Sequence, residues 1–301
     1  MSRIFNLDHL IKLTHQKTIF PFYHIVADET PVHIRNLYQA RTVEEFKADL
    51  DFLLKHYEPI SLKELIADVC KNKSPQKNRF HLTFDDGLAE IYTMVAPILK
   101  ERNIPATFFI STDFIDNKAM FYRFKASILA ERFSAKGVLD VSFKEAYKID
   151  DLAEVLEFNF NDYLIKEEPY LTTGQIQELI DQGFTIGAHS LNHPLYRSIS
   201  LEEQVNQTLK SIDYLTNEFK LDYKVFSFPF TDDGVGSTFF SKIKKEVDLT
   251  FGTAGLKADS IPFNIQRIPM EKPLSGENLI KGEYVYYLVK KIVRKNKIKR
   301  R

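Results

Sequence analysis

Residues 81–90 read HLTFDDGLAE. An apolar run ends abruptly in two adjacent carboxylates, Asp85 and Asp86, followed by Gly87. Continuous apolar runs of this kind suit strands covered on both faces, as in parallel sheets. Side chains alternate faces along an extended strand, so neighbouring acids in one would point apart. A strand end followed by glycine lets the backbone turn, and both carboxylates can then reach one cavity. Two like charges left there uncompensated are costly, and a divalent cation resolves that cost.

Similar runs recur at 18–26 (TIFPFYHIV), 105–111 (PATFFIS), 184–188 (FTIGA), 224–228 (KVFSF) and 249–253 (LTFGT). Helical patterns separate them. Thr42 to Glu45, Ser61 to Glu64, Thr172 to Gln175 and Ser200 to Glu203 read as capping boxes. After Thr42, Phe46, Leu50, Leu53 and Tyr57 repeat at helical spacing and predict one buried stripe. Such alternation predicts an α/β fold, a barrel or a doubly wound sheet. In either, polar groups at the carboxyl ends of strands are placed for chemistry, and Asp85 and Asp86 fall at such an end.

Composition narrows the function classes. Lys+Arg and Asp+Glu both number 41, so formal net charge is zero, which argues against a dedicated nucleic-acid binder. The one cysteine, Cys70, excludes an intrachain disulfide framework and a Cys-rich zinc site. No 18-residue apolar run predicts a transmembrane helix, and the N-terminal stretch lacks the apolar core of a signal peptide. The expected location is cytoplasmic, extending to the inner membrane surface. The chain reads as one domain, 1–301, with its core at about 18–270. Residues 116–171 break the rhythm and read as a helical and loop insertion covering part of the site. The tail 290–301, KKIVRKNKIKRR, is dense in Lys and Arg without an acid. It reads as a solvated terminus or as a peripheral contact to an anionic membrane.

The second chemical feature is FTIGAHSLNHPLY, residues 184–196. A strand leads into His189 and His193, and histidines four apart can converge on one metal where the segment is helical or tightly turned. Two imidazoles and one carboxylate leave a zinc ion an open position for water.

TFDDG at 83–87 and HSLNHP at 189–194 resemble the first two motifs of the polysaccharide deacetylase family, the NodB-homology or carbohydrate esterase family 4 group. The resemblance implies a distorted (β/α) barrel of about seven units. It implies one divalent metal, expected to be zinc, on Asp86, His189 and His193, with Asp85 as catalytic base. The implied reaction is hydrolysis of the N-acetyl group of an N-acetylated sugar in a glycan or glycolipid precursor. Alternatives are an inactive glycan-binding relative and a hydrolase of non-sugar amides on the same barrel.

Two departures from the family pattern matter. The third motif ordinarily carries Arg-x-Pro-Tyr, but the matching stretch is Ser227-Phe228-Pro229-Phe230. Pro229 and Phe230 are expected to keep the turn, with the Phe230 N–H facing the substrate oxyanion. Arg267 is the candidate to replace the lost cation beside Asp85; a merely structural ion pair is the other reading. Asp232 and Asp233 read as loop or helix-cap residues. The family's usual C-terminal histidine is also absent, since no histidine follows His193. His24, in FYHIV at 22–26, matches the strand histidine that supplies the acid in a permuted subgroup similar to the poly-N-acetylglucosamine deacetylases. His9, His15, His33, His56 and His81 have no comparable placement.

Overall fold

The computed structural model describes residues 6–300. Its centre is an eight-stranded sheet. The spatial order is Asn264–Gln266, Leu249–Gly252, Val225–Ser227, Thr185–Ala188, Ala106–Ile110, Leu82–Phe84, Pro21–Tyr23 and Ile268–Pro269. Every pairing among them is parallel. The two edge strands are neighbours in sequence, separated only by Arg267. Residues 264–266 pair with 250–252, and residues 268–269 pair with 21–22. One short stretch thus binds both edges and closes the sheet into a barrel. Counting that stretch as a single crossing gives the about seven units expected of the barrel.

The strands' residues alternate between two packing environments. Phe108 joins Phe84, Phe46 and Leu50 in the layer between sheet and helices. Phe109 instead packs with Phe251, Val225 and Leu249. Gly187 makes room for it: a Cβ there would lie 2.4 Å from the Phe109 ring. The predicted run 18–26 divides. Thr18–Ile19 pairs with Arg79–Phe80 in a separate three-stranded sheet, while Pro21–Tyr23 enters the barrel.

The capping boxes at Thr42, Ser61 and Thr172 form in full. At Ser200 the side chain accepts from the Glu203 N–H, half of the reciprocal pair. The stripe of Phe46, Leu50, Leu53 and Tyr57 is buried. Between residues 116 and 171 lie the helices Tyr122–Phe133, Tyr147–Val155 and Phe160–Glu167, in an apolar cluster around Phe121, Phe124 and Tyr170 that also takes in Ile25, Ile34 and Leu88.

The C-terminal tail differs from a solvated terminus. Lys297–Ile298 pairs in parallel with Ala258–Asp259. The Arg300 guanidinium is buried against Asp232 and Asp259. Asp232 lies in the loop before the helix Ser237–Ile243, as expected, but serves there as a buried anchor. It is 2 % exposed and also accepts from Asn264 and Gln266. Composition announces the charge of a tail but not its partner, and here a buried carboxylate pair supplies one. Asp233 remains exposed and pairs with Arg197 at 3.4 Å.

Two of the histidines without a site role are structural. His81 Nδ1 donates to the Ile60 carbonyl at 2.8 Å, and its Nε2 meets the Thr107 hydroxyl at 2.8 Å. His33 Nδ1 lies 3.0 Å from the Tyr163 hydroxyl. Burial pushes both imidazoles down to about 4 from an ordinary 6.5. Between those values the unfolded chain binds more protons than the folded one. Their contribution is therefore complete above the unfolded value and is lost as pH falls through this window. We expect each to remove on the order of 2 kcal/mol of stability at about pH 5. Urea denaturation at about pH 7.5 and about pH 5 measures this, and equal stability at both would contradict it.

Candidate active site

Asp85 and Asp86 follow the strand Leu82–Phe84 at its carboxyl end. Asp86 has φ 74° and Gly87 φ 70°. The left-handed turn at Asp86 swings its carboxylate back toward the side that Asp85 already faces. Asp tolerates this conformation better than most residues. Ser190, His193 and Phe230 also have positive φ, at 70°, 61° and 59°. Such conformations cost energy and collect where geometry is tightly specified.

Asp86 Oδ1 lies 3.1 Å from His193 Nε2 and 3.4 Å from His189 Nε2. The three residues are buried and offer ligand atoms all within 4.8 Å of one another. His189 Nδ1 sits 2.9 Å from the Ser227 carbonyl, which can only accept, so Nδ1 carries the proton. Its Nε2 then turns a lone pair toward Asp86. Asp86 Oδ1 has no hydrogen-bond partner among the described residues. A buried carboxylate oxygen facing an imidazole lone pair is repulsive unless a cation lies between them. The donor set, two imidazole nitrogens and one carboxylate oxygen, fits a catalytic divalent metal site. Burial opposes charge on Asp86, but His193 beside it, with His24 farther off, holds its carboxyl well below the usual range. Burial pushes the His193 imidazole down. Tyr38 donates to Asp86 Oδ2 at 2.9 Å.

Asp85 is gripped from the other side. Arg267 donates from Nη1 to Asp85 Oδ1 at 2.7 Å and from Nη2 to Oδ2 at 2.6 Å. Burial would raise the Asp85 carboxyl, yet Arg267 outweighs it and holds the group below its ordinary value. The same guanidinium donates to Thr83 at 2.9 Å and to the Ser227 hydroxyl at 2.7 Å. Ser227 occupies the position where the family motif carries its arginine. The guanidinium reaches Asp85 from residue 267 instead.

His24 follows Tyr23, which pairs with Phe84, so the parallel register sets His24 beside Asp85. His24 Nδ1 lies 2.5 Å from Glu271 Oε2. The other Glu271 oxygen accepts from the N–H groups of His24 and Ile25 at 2.7 and 2.8 Å. Burial disfavours the imidazolium, but Glu271 outweighs it and raises His24 to about 9. Tyr38 stacks on the His24 ring at 4.4 Å. Pro229 is buried, and the Phe230 ring packs 4.7 Å from that of His193. The Phe230 N–H finds no acceptor among the described residues. Phe121, from the 116–171 segment, closes on His193 at 4.3 Å.

A family profile described as polysaccharide deacetylase matches residues 72–250. The chain belongs to the polysaccharide deacetylase family. No curated protein sequence matches it. Among solved structures, the Streptococcus pyogenes deacetylase PplD, in complex with acetate, is 20% identical, with a TM-score of 0.60 over 88% of this chain and 97% of that one. IcaB from Ammonifex degensii is 16% identical, with a TM-score of 0.59 over 89% and 97%. A de-N-acetylase from Aggregatibacter actinomycetemcomitans is 16% identical, with a TM-score of 0.60 over 87% and 99%. At these identities the likeness is one of fold. The profile span holds Asp85, Asp86, His189, His193, Pro229 and Phe230, while His24, Tyr38, Arg267 and Glu271 lie outside it.

Sequence reasoning missed Glu271, Tyr38 and Phe121. Glu271 carried one faint signal, its place two residues after the strand Ile268–Pro269. Tyr38 and Phe121 sit in irregular segments and carried none. Glu271→Gln should remove the main force raising His24. Burial then weighs more, and the imidazole should titrate below about 9, although Asp86 and Asp85 still raise it. NMR titration of the His24 ring reads this directly, and an unchanged value would show that Glu271 does not set it.

Proposed function

We propose that this family member is a metal-dependent deacetylase that hydrolyses the N-acetyl group of an N-acetylated sugar in a glycan or glycolipid precursor. The observation that carries the reading is the unpartnered Asp86 oxygen flanked by two imidazole nitrogens, with Asp85 adjacent. Asp86, His189 and His193 would hold the ion, zinc by its donor set. A divalent ion held there supplies Lewis-acid polarisation of the amide carbonyl and acidifies water.

The chain's own groups divide the remaining work. Asp85, kept ionised and oriented by Arg267, accepts a proton from the attacking water. The Phe230 N–H, presented by its left-handed backbone, donates to the oxygen that gains charge. His24, kept protonated by Glu271, gives its proton to the departing amine nitrogen. Phe121, Phe230 and Tyr38 wall the site and limit water. A binding-only reading rested on the missing motif arginine, and the Arg267 contact to Asp85 removes that ground.

Two tests follow. Elemental analysis should find about one divalent ion per chain, and His189→Ala or Asp86→Ala should lose it. Asp85→Asn should keep the ion and lose acetate release from N-acetylglucosamine oligomers by roughly 10²-fold or more. Full metal content in the ligand variants, or full turnover in Asp85→Asn, would sink the assignment. His24→Ala should slow amide hydrolysis by roughly 10²–10⁴-fold. It should spare an activated ester, whose leaving group needs no proton. Equal loss on both substrates would remove His24 as the proton donor.

A further inference from the structure

The helix Gly276–Ile292 is apolar on two sides. Its inner side buries Leu279, Ile280, Tyr284 and Tyr287 and packs on the helices Leu7–Thr14 and Val43–His56. Its outer side carries Tyr286, Val289 and Val293 at helical spacing, with Ile292 beside them. Their exposures are 43 %, 52 %, 53 % and 81 %. The long helix Leu201–Phe219 instead exposes mainly polar residues, Glu202, Lys210, Asp213, Asn217 and Glu218, with the single aromatic Tyr214 among them, as an outward face usually does. Contiguous exposed apolar residues at helix spacing mark a contact surface.

The rim of this surface is cationic. Lys290 and Lys257 lie over the Tyr286 ring at 4.8 and 5.8 Å. Lys291, Arg294, Lys295, Lys297 and Lys299 follow, and no acid occurs from residue 284 onward. Arg300 is committed to Asp232 and Asp259. Among the described residues the other cations of this tail form no ion pair. A second copy of the chain across a two-fold axis would set these like charges against each other. An anionic bilayer surface complements both features, receiving apolar side chains at the headgroup boundary while its phosphates meet the cations.

We propose that the outer face of Gly276–Ile292, with its cationic rim, docks peripherally on an anionic membrane surface. The contact is thus carried by an apolar helix face joined to a docked tail, rather than by a loose basic terminus. Among the described residues no hydrogen bond, ion pair or ring contact joins it to Asp86, His189 or His193, and its test does not depend on the chemistry proposed for them. Vesicle co-sedimentation of the full chain should show binding to phosphatidylcholine vesicles containing phosphatidylglycerol, little binding to phosphatidylcholine alone, and loss of binding as salt rises. The double substitution I292E/V293E should weaken partitioning roughly tenfold or more. Both positions are exposed, so the melting temperature should hold. Lys290→Ser with Lys291→Ser should weaken binding while leaving the apolar face intact. Failure to bind anionic vesicles at low salt, indifference to lipid charge, or full binding by I292E/V293E would overturn the proposal. A dimer in light scattering that I292E/V293E dissociates would assign the face to a second copy and overturn it equally.

Discussion

The rest of the molecule is arranged around one buried ion pair, Arg267 with Asp85. Arg267 is fully buried and Asp85 is 2 % exposed, so two charges have been taken out of water. Such pairs are stable only when geometry is good and every remaining donor is satisfied. Here the guanidinium makes two parallel bonds to the carboxylate and further bonds to Thr83, Ser227 and the Gly252 carbonyl. Its faces are covered by Phe22 at 4.3 Å and Phe109 at 5.6 Å. Lysine offers a point charge without the fork or the flat face, and cannot reproduce this. The same residue's backbone lies on the closing seam of the barrel, where its N–H donates to Gly252. Barrel closure and the orientation of Asp85 therefore depend on one position.

The pair also sets up a division of charge. A base must be ionised and an acid protonated at the same pH, which two free groups of ordinary pKa satisfy poorly. Arg267 depresses Asp85 and Glu271 raises His24, so the two windows overlap across neutrality. The parallel pairing of Tyr23 with Phe84 sets the two groups side by side. Glu271 and Arg267 reach them from the strand Ile268–Pro269 and its flanks, which pairs with Pro21–Tyr23.

What could be read from the sequence was whatever sits next to a regular element. Asp85, Asp86, His189 and His193 follow strands whose apolar runs are unmistakable, and their chemistry needs no distant partner to be recognised. Arg267 became visible because a motif position was vacant. Glu271 meets His24 across 247 residues, and Tyr38 meets Asp86 across 48 in an irregular loop. No local period encodes such contacts. The positive φ values of Asp86, Ser190, His193 and Phe230 were equally hidden, because only Gly87 advertises a turn. The anchor of the tail was hidden for a related reason. The tail's charge was plain, but its anchor, Asp232, is buried in a loop some seventy residues earlier.

Ser227 and Arg267 share one space beside Asp85. Arg267 Nη2 lies 2.7 Å from the Ser227 hydroxyl, which itself donates to Asp85 at 3.3 Å. The guanidinium therefore fills the space that a longer side chain at 227 would enter. A small hydroxyl residue at 227 and an arginine at 267 are two halves of one arrangement, and either alone would leave a clash or an uncompensated carboxylate. Ser227 has a second duty that does not involve its side chain. Its carbonyl accepts from His189 Nδ1 and so fixes the nitrogen that faces Asp86. Through one strand end, the orientation of the base and the tautomer of an imidazole are held together. Displacing this backbone would disturb both, whereas exchanging the side chain reaches only the half that contains Arg267.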